Sequence, residues 1–113
     1  MEKDEPLYMI GVAASLCEMH PQTLRLYERL GLVQPKRLRG KARLYSQADI
    51  ERLQKIRRLT KEMGVNLAGV EIILNLLDKI EQMQEKIDNE TEKIRQEIET
   101  EIRRRFGELE DNS

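Results

Sequence analysis

A mainly α-helical fold, with one small β-hairpin and a long terminal helix, is predicted from three observations. Apolar residues recur at helical spacing in four separate segments between Ile10 and Leu77. Around Gly40 the period changes to two, with cationic and apolar residues alternating, as in a pair of short strands. From Asp78 to Phe106 neither Gly nor Pro occurs, and Ile80, Met83, Ile87, Ile94, Ile98, Ile102 and Phe106 fall on one narrow seam.

The first helix follows from Ile10, Ala13, Ala14 and Cys17, spaced i, i+3, i+4, i+7. A four-residue turn, Glu18 to Pro21, leads into the second. His20 is placed to cap that helix, and Pro21 suits its first position because the N–H that proline lacks would be unpaired there. Gly31 fits the position just past its end. Two helices joined by so short a turn form a helix-turn-helix candidate. Leu24 and Tyr27 share the face that packs on the first helix. Gln22, Arg25, Leu26 and Arg29 lie opposite, on a face free to read another molecule.

Pro35 breaks the chain before the hairpin. Arg37, Arg39, Lys41 and Arg43 alternate with Leu38, Gly40, Ala42 and Leu44, which predicts a two-stranded wing turning at Gly40. Ser46 and Asp49 resemble a capping box, so a third helix starts there, with Ile50, Leu53, Ile56, Leu59 and Met63 as its buried stripe and Gly64 as its stop. Asn66 caps a fourth, with Val65 and Val70 as a hydrophobic staple and Val70, Ile73, Leu74 and Leu77 facing the core. The expected domains are a winged helix-turn-helix over 1–77, a dimerisation helix over 78–106 and a flexible tail over 107–113. Steps of 3, 4 and 7 along the seam suggest a coiled coil with the same helix of a second copy, and the later steps of 4 make the seam drift.

Composition narrows the function. Charged residues are 36% of the 113, with no Trp and one Phe, as expected for a small helical core bearing a long exposed element. The net charge of -1 hides an asymmetry. From Met1 to Val65, 13 Lys and Arg face 8 Asp and Glu; from Asn66 to Ser113 the counts are 7 and 13. The basic part is the candidate polyanion binder. Between His20 and Tyr45, Arg25, Arg29, Lys36, Arg37, Arg39, Lys41 and Arg43 are positive and Glu28 alone is negative. A small helix beside a cationic β-finger suits a DNA groove and its flanking phosphates. Arg57, Arg58 and Lys61 either rest on the phosphate backbone or line a solvated face.

No nucleophile–base pair, carboxylate–histidine cluster or phosphate-cradling Gly loop is visible, so no catalysis is expected. The one cysteine, Cys17, suits a core position and allows neither an intrachain disulfide nor a multi-thiolate metal site. No cofactor or metal is expected. The acidic start lacks a secretory pattern, and no apolar run approaches a membrane span, so a cytoplasmic location without membrane contact is expected. With only seven residues after Phe106, no small-molecule effector is expected.

The order of elements and their residues resemble the MerR family of transcription regulators. The likeness spans Leu7 to Leu77, through YMIGVAASL, TLRLYERLGLV, RLYSQADIERL and GVNLAGVEIIL. Within the family, HPQTLR and GVNLAGVEIIL are most similar to the HspR heat-shock repressors. The resemblance implies a homodimeric repressor, joined through an antiparallel coiled coil, on inverted-repeat DNA upstream of chaperone genes, with a DnaK-type chaperone as co-repressor. It implies DNA contact for Arg25, for Tyr27, and for Arg43 and Tyr45 of the wing. Leu26 stands where the family usually has an aromatic, and can instead meet a thymine methyl. Metal-sensing relatives carry cysteines near the start of the dimer helix, and this seam has none.

The expected DNA-binding set is therefore Gln22, Arg25, Leu26, Tyr27, Arg29, Arg37, Arg39, Lys41, Arg43 and Tyr45. Two other readings stand beside the repressor: an activator of the same fold, and an adaptor whose acidic coiled coil is the working surface.

Overall fold

The computed structural model describes residues 2–40 and 42–111. It divides into two units, Met1–Leu74 and Asn75–Ser113. The first contains β1 (Pro6–Met9), α1 (Ile10–Leu16), α2 (Pro21–Arg29), β2 (Lys36–Leu38), β3 (Ala42–Ser46), α3 (Gln47–Arg57), a π-helical turn (Arg58–Glu62) and the start of α4 (Leu67–Asp111).

Local chemistry explains most boundaries. The His20 Nδ1 accepts the Gln22 N–H at 3.1 Å, capping α2 just before Pro21. At the other end Gly31 has φ +76°, and the Gly31 and Leu32 N–H groups donate to the Glu28 and Tyr27 carbonyls at 3.0 and 2.9 Å. That pair of bonds is a Schellman stop. Ser46 and Asp49 form a reciprocal capping box at 3.1 and 2.9 Å. Asn66 Oδ1 accepts the Gly69 N–H at 2.8 Å, and a Cβ on Gly69 would lie 2.8 Å from Val65 Cγ1. The staple residue therefore needs a glycine beside it.

The core gathers Ala13 and Ala14 from α1 and Cys17 just past its end, Leu24 and Tyr27 from α2, Tyr45 from β3, Ile50, Leu53 and Ile56 from α3, and Val70 and Leu74 from α4. Leu32 and Val33, just past α2, close it. Burial raises the Cys17 thiol's pKa, and its sulfur lies 3.8 Å from the Ile50 carbonyl oxygen, so it behaves as a core group.

The structure corrects several expectations. The wing is part of a three-stranded antiparallel sheet ordered β1-β3-β2. β1 is four residues long and begins at a proline, too short for alternation to reveal it. The third helix does not carry its stripe to Met63, which is 65% exposed. The Met63 N–H reaches back five residues to the Arg58 carbonyl at 3.2 Å, and this wider turn rotates the buried face away from Met63. The Thr60 hydroxyl donates to the Ile56 and Arg57 carbonyls, at 3.0 and 3.2 Å, within that turn. Leu77, expected in the core, is exposed.

No break separates the fourth helix from the seam helix. α4 is continuous over 45 residues, about 67 Å, so the unit boundary at Leu74 falls inside a helix rather than at a linker. Of the expected tail, Gly107 to Asp111 are helical, and Asn112 and Ser113 lie outside the described residues. In the second unit, Ile80, Met83, Ile87, Ile94, Ile98, Ile102 and Phe106 are all exposed. Its polar surface carries ion pairs within the helix: Arg95 with Glu92 and Glu99, Arg104 with Glu101 and Glu108, Arg103 with Glu99 and Arg105 with Glu101. Such pairs lie at fully solvated positions, where water screens them, and give a single helix only weak support. They also account for the run of three arginines.

Candidate nucleic-acid interface

α2 presents the predicted face. Gln22 and Arg29 are exposed, Arg25 and Leu26 half-buried, and neither arginine forms an ion pair among the described residues. Leu26 leans on the core edge, leaving only part of its side chain available. Tyr27 is mostly buried from the same helix and packs in the core cluster, helping to seat α2. Burial raises its pKa, against a smaller opposing effect from a hydrogen bond with Thr60.

The wing differs more from expectation. In the hairpin register Lys36 faces Leu44, Arg37 faces Arg43 and Leu38 faces Ala42. Period two therefore groups Arg37, Arg43 and Tyr45 on one face and Leu38 and Leu44 on the other. The first face turns inward, toward α2. Arg43 Nε donates to Glu28 Oε2, and Arg37 donates to Glu28 Oε1 at 3.2 Å. Glu28, the lone acid of the basic stretch, thus ties both wing strands to α2. Leu38, on the opposite face, is 61% exposed. At the tip, Arg39 (φ +51°) and Gly40 (φ +72°) make the turn, and Arg39 is exposed. Lys41 lies outside the described residues.

Tyr45 is the clearest correction. It is fully buried, and its hydroxyl has no hydrogen-bond partner among the described residues. The expected outward contact is replaced by a core position. Burial raises its pKa, with the Glu28 carboxylate adding to the effect. An unpaired buried hydroxyl costs about 1–3 kcal/mol. Tyr45→Phe is therefore expected to stabilise the protein by about 1 kcal/mol and to leave DNA affinity unchanged. Urea denaturation checks the first part; a clear loss of stability would show that the hydroxyl is bonded in solution.

Burial works against ionisation of Glu28, but the hydrogen bonds from Arg43 and Arg37 outweigh it and hold the carboxyl below its ordinary range. Folded Glu28 thus binds its proton more weakly than unfolded Glu28. The pairing stabilises the fold above the ordinary glutamate value and loses that contribution as pH falls through the lowered folded one. Glu28→Gln should flatten the decline in stability below about pH 4. Parallel pH–stability curves for variant and parent would show that the pairing is not linked to folding.

Other supporting residues are not apparent in the sequence. Arg52 Nε donates to the Leu32 carbonyl at 2.5 Å, holding the segment after α2. The Tyr8 hydroxyl and Gln47 Oε1 lie 3.3 Å apart, joining β1 to α3. Arg57 pairs with Glu18 at 3.6 Å, at the α1–α2 turn. Glu18 itself has φ +54°, an uncommon conformation for a side chain larger than Asn.

Two helices joined by a tight turn, with a cationic hairpin tied to the second, define a winged helix-turn-helix protein. The chain belongs to the MerR helix-turn-helix family of regulatory proteins, whose model matches residues 8–77. It is 46% identical over 84 residues to a Streptomyces coelicolor protein named heat shock protein HspR, covering 74% of this chain and 56% of that one. Against the Escherichia coli transcriptional regulator MlrA, identity is 41% over 70 residues, covering 61% of this chain and 28% of that one. Against the Bacillus cereus transcriptional regulator GlnR it is 33% over 92 residues, 81% of this chain and 70% of that one. Among solved structures, a lead(II)-bound transcription regulator from Ralstonia metallidurans matches with a TM-score of 0.61 and 30% identity, over 93% of this chain and 84% of that one. Among the described residues, no helix is long and apolar enough to cross a membrane.

Proposed function

We propose that this protein is a sequence-specific repressor of heat-shock and chaperone genes, binding inverted-repeat double-stranded DNA in the cytoplasm as a homodimer. The observation that carries this reading is the outward face of α2, where Gln22, Arg25 and Arg29 stand together beside a wing held by Glu28. α2 enters the major groove, and the wing follows the adjacent backbone. The exposed isoleucine seam supports pairing with a second copy, which sets the spacing of the half-sites. The likeness to the HspR-named protein supports the choice of heat-shock genes, and with it a DnaK-type chaperone as co-repressor.

Fluorescence anisotropy with a library-selected inverted repeat and with scrambled DNA, at several salt concentrations, tests the reading. A specific-to-nonspecific ratio near or above about 10³ supports it. A ratio near one with a steep salt slope would leave only an electrostatic surface.

A further inference from the structure

Arg37 and Arg43 sit directly opposite each other on adjacent strands. Like charges in that position repel, so the hairpin places two guanidiniums where an anion is required. Glu28 supplies it, with one carboxylate oxygen for each arginine. The three side chains are 39%, 25% and 22% exposed, so solvent screens this cluster less than the ion pairs along α4. Glu28 is also one helical turn from Arg25, so the anchor of the wing and the reading face share a rigid element.

We infer that Glu28 is a specificity-determining positioning residue: it withholds the Arg37–Arg43 pair from phosphates and fixes the wing against α2. The inference rests on the DNA-binding reading above and adds a role for an acidic residue inside a cationic surface. With Glu28 in place, the wing presents a fixed edge to DNA, and the two guanidiniums contribute little to indiscriminate attraction. Without it, they are free to meet any phosphate, and each new contact adds about 0.9 to the salt slope. Nonspecific affinity rises while the wing loses its fixed angle.

The test compares the full-length protein with Glu28→Gln on the selected inverted repeat and on scrambled DNA, across a salt series. The expected result is a nonspecific affinity several-fold higher, a nonspecific salt slope steeper by about one to two units, and a specific-to-nonspecific ratio about tenfold lower. Glu28→Gln combined with Arg37→Gln should bring the slope back toward the parent value, which a merely damaged fold would not do. An unchanged or higher ratio overturns the inference, whether both affinities rise, as from bare charge, or fall, as from a weakened scaffold. A lower ratio without the steeper slope overturns it as well. Should the parent show no preference for the inverted repeat, the DNA-reading proposal itself fails, and that outcome is separable because it is read before any substitution.

Discussion

Replacing Ile94 and Ile98 together by Asp is expected to leave the protein monomeric and to weaken operator binding by roughly 10²–10⁴-fold, the loss that follows when two linked binding modules act separately. Both isoleucines are 54% exposed, lie one turn apart on α4 in the second unit, and are not members of the buried core cluster. The substitution therefore removes no contact from that core, and its thermal unfolding should be little changed. Burying an isoleucine side chain contributes about 1.5–3 kcal/mol, and an unpaired carboxylate in an apolar seam is costlier still. In the proposed dimer, two such changes on each copy would outweigh the free energy holding the seam together. Analytical ultracentrifugation reads the oligomeric state and anisotropy reads the affinity. A variant that stays dimeric would show that the seam is not the interface; a monomer with undiminished operator affinity would show that one wing and one α2 suffice.

The second large effect separates two adjacent residues. Leu24 is fully buried on α2 and Arg25 is half-buried beside it. Leu24→Ala should cost about 2–5 kcal/mol of folding stability, because the methyl groups leave a cavity that the surrounding helices fill only in part. For a domain of this size that approaches the whole margin. Arg25→Ala should leave folding nearly untouched but cost about 1–3 kcal/mol of binding to the cognate repeat, with base preference relaxed at its position. Denaturant melts and competition anisotropy on both variants check the division. Equal losses of stability in the two would mean that Arg25 is structural, and an unchanged base preference after Arg25→Ala would move the reading function elsewhere on α2.

What was legible in the sequence and what was not follow from the range of the interactions. Caps act within three or four residues, so His20, Ser46 with Asp49, and Asn66 announced their helices correctly. Gly31 and Gly64 adopt the positive φ that their positions at helix ends suggested. The isoleucine seam was likewise readable, because its regularity is a property of one helix. The direction of a strand face is different. Period two says that Arg43 and Tyr45 share a side but not which side meets the core. Only the packing of the sheet on the core decided that, burying Tyr45 and leaving Arg43 to pair with Glu28 of α2. One signal was present and unused: a single acid among seven bases invites the question of what it neutralises.

The helices, their stops, the outward cationic face of α2 and the membership of the MerR family were thus determined by the order of residues, since propensity, capping and periodicity are short-range effects. The third strand, the π turn that exposes Met63, the uninterrupted α4, and the partners of Arg37, Arg43 and Arg52 were decided by tertiary structure. The β1–β3 pairing joins residues as far apart in sequence as Pro6 and Ser46, and packing geometry selects such partners from many pairs of similar local preference.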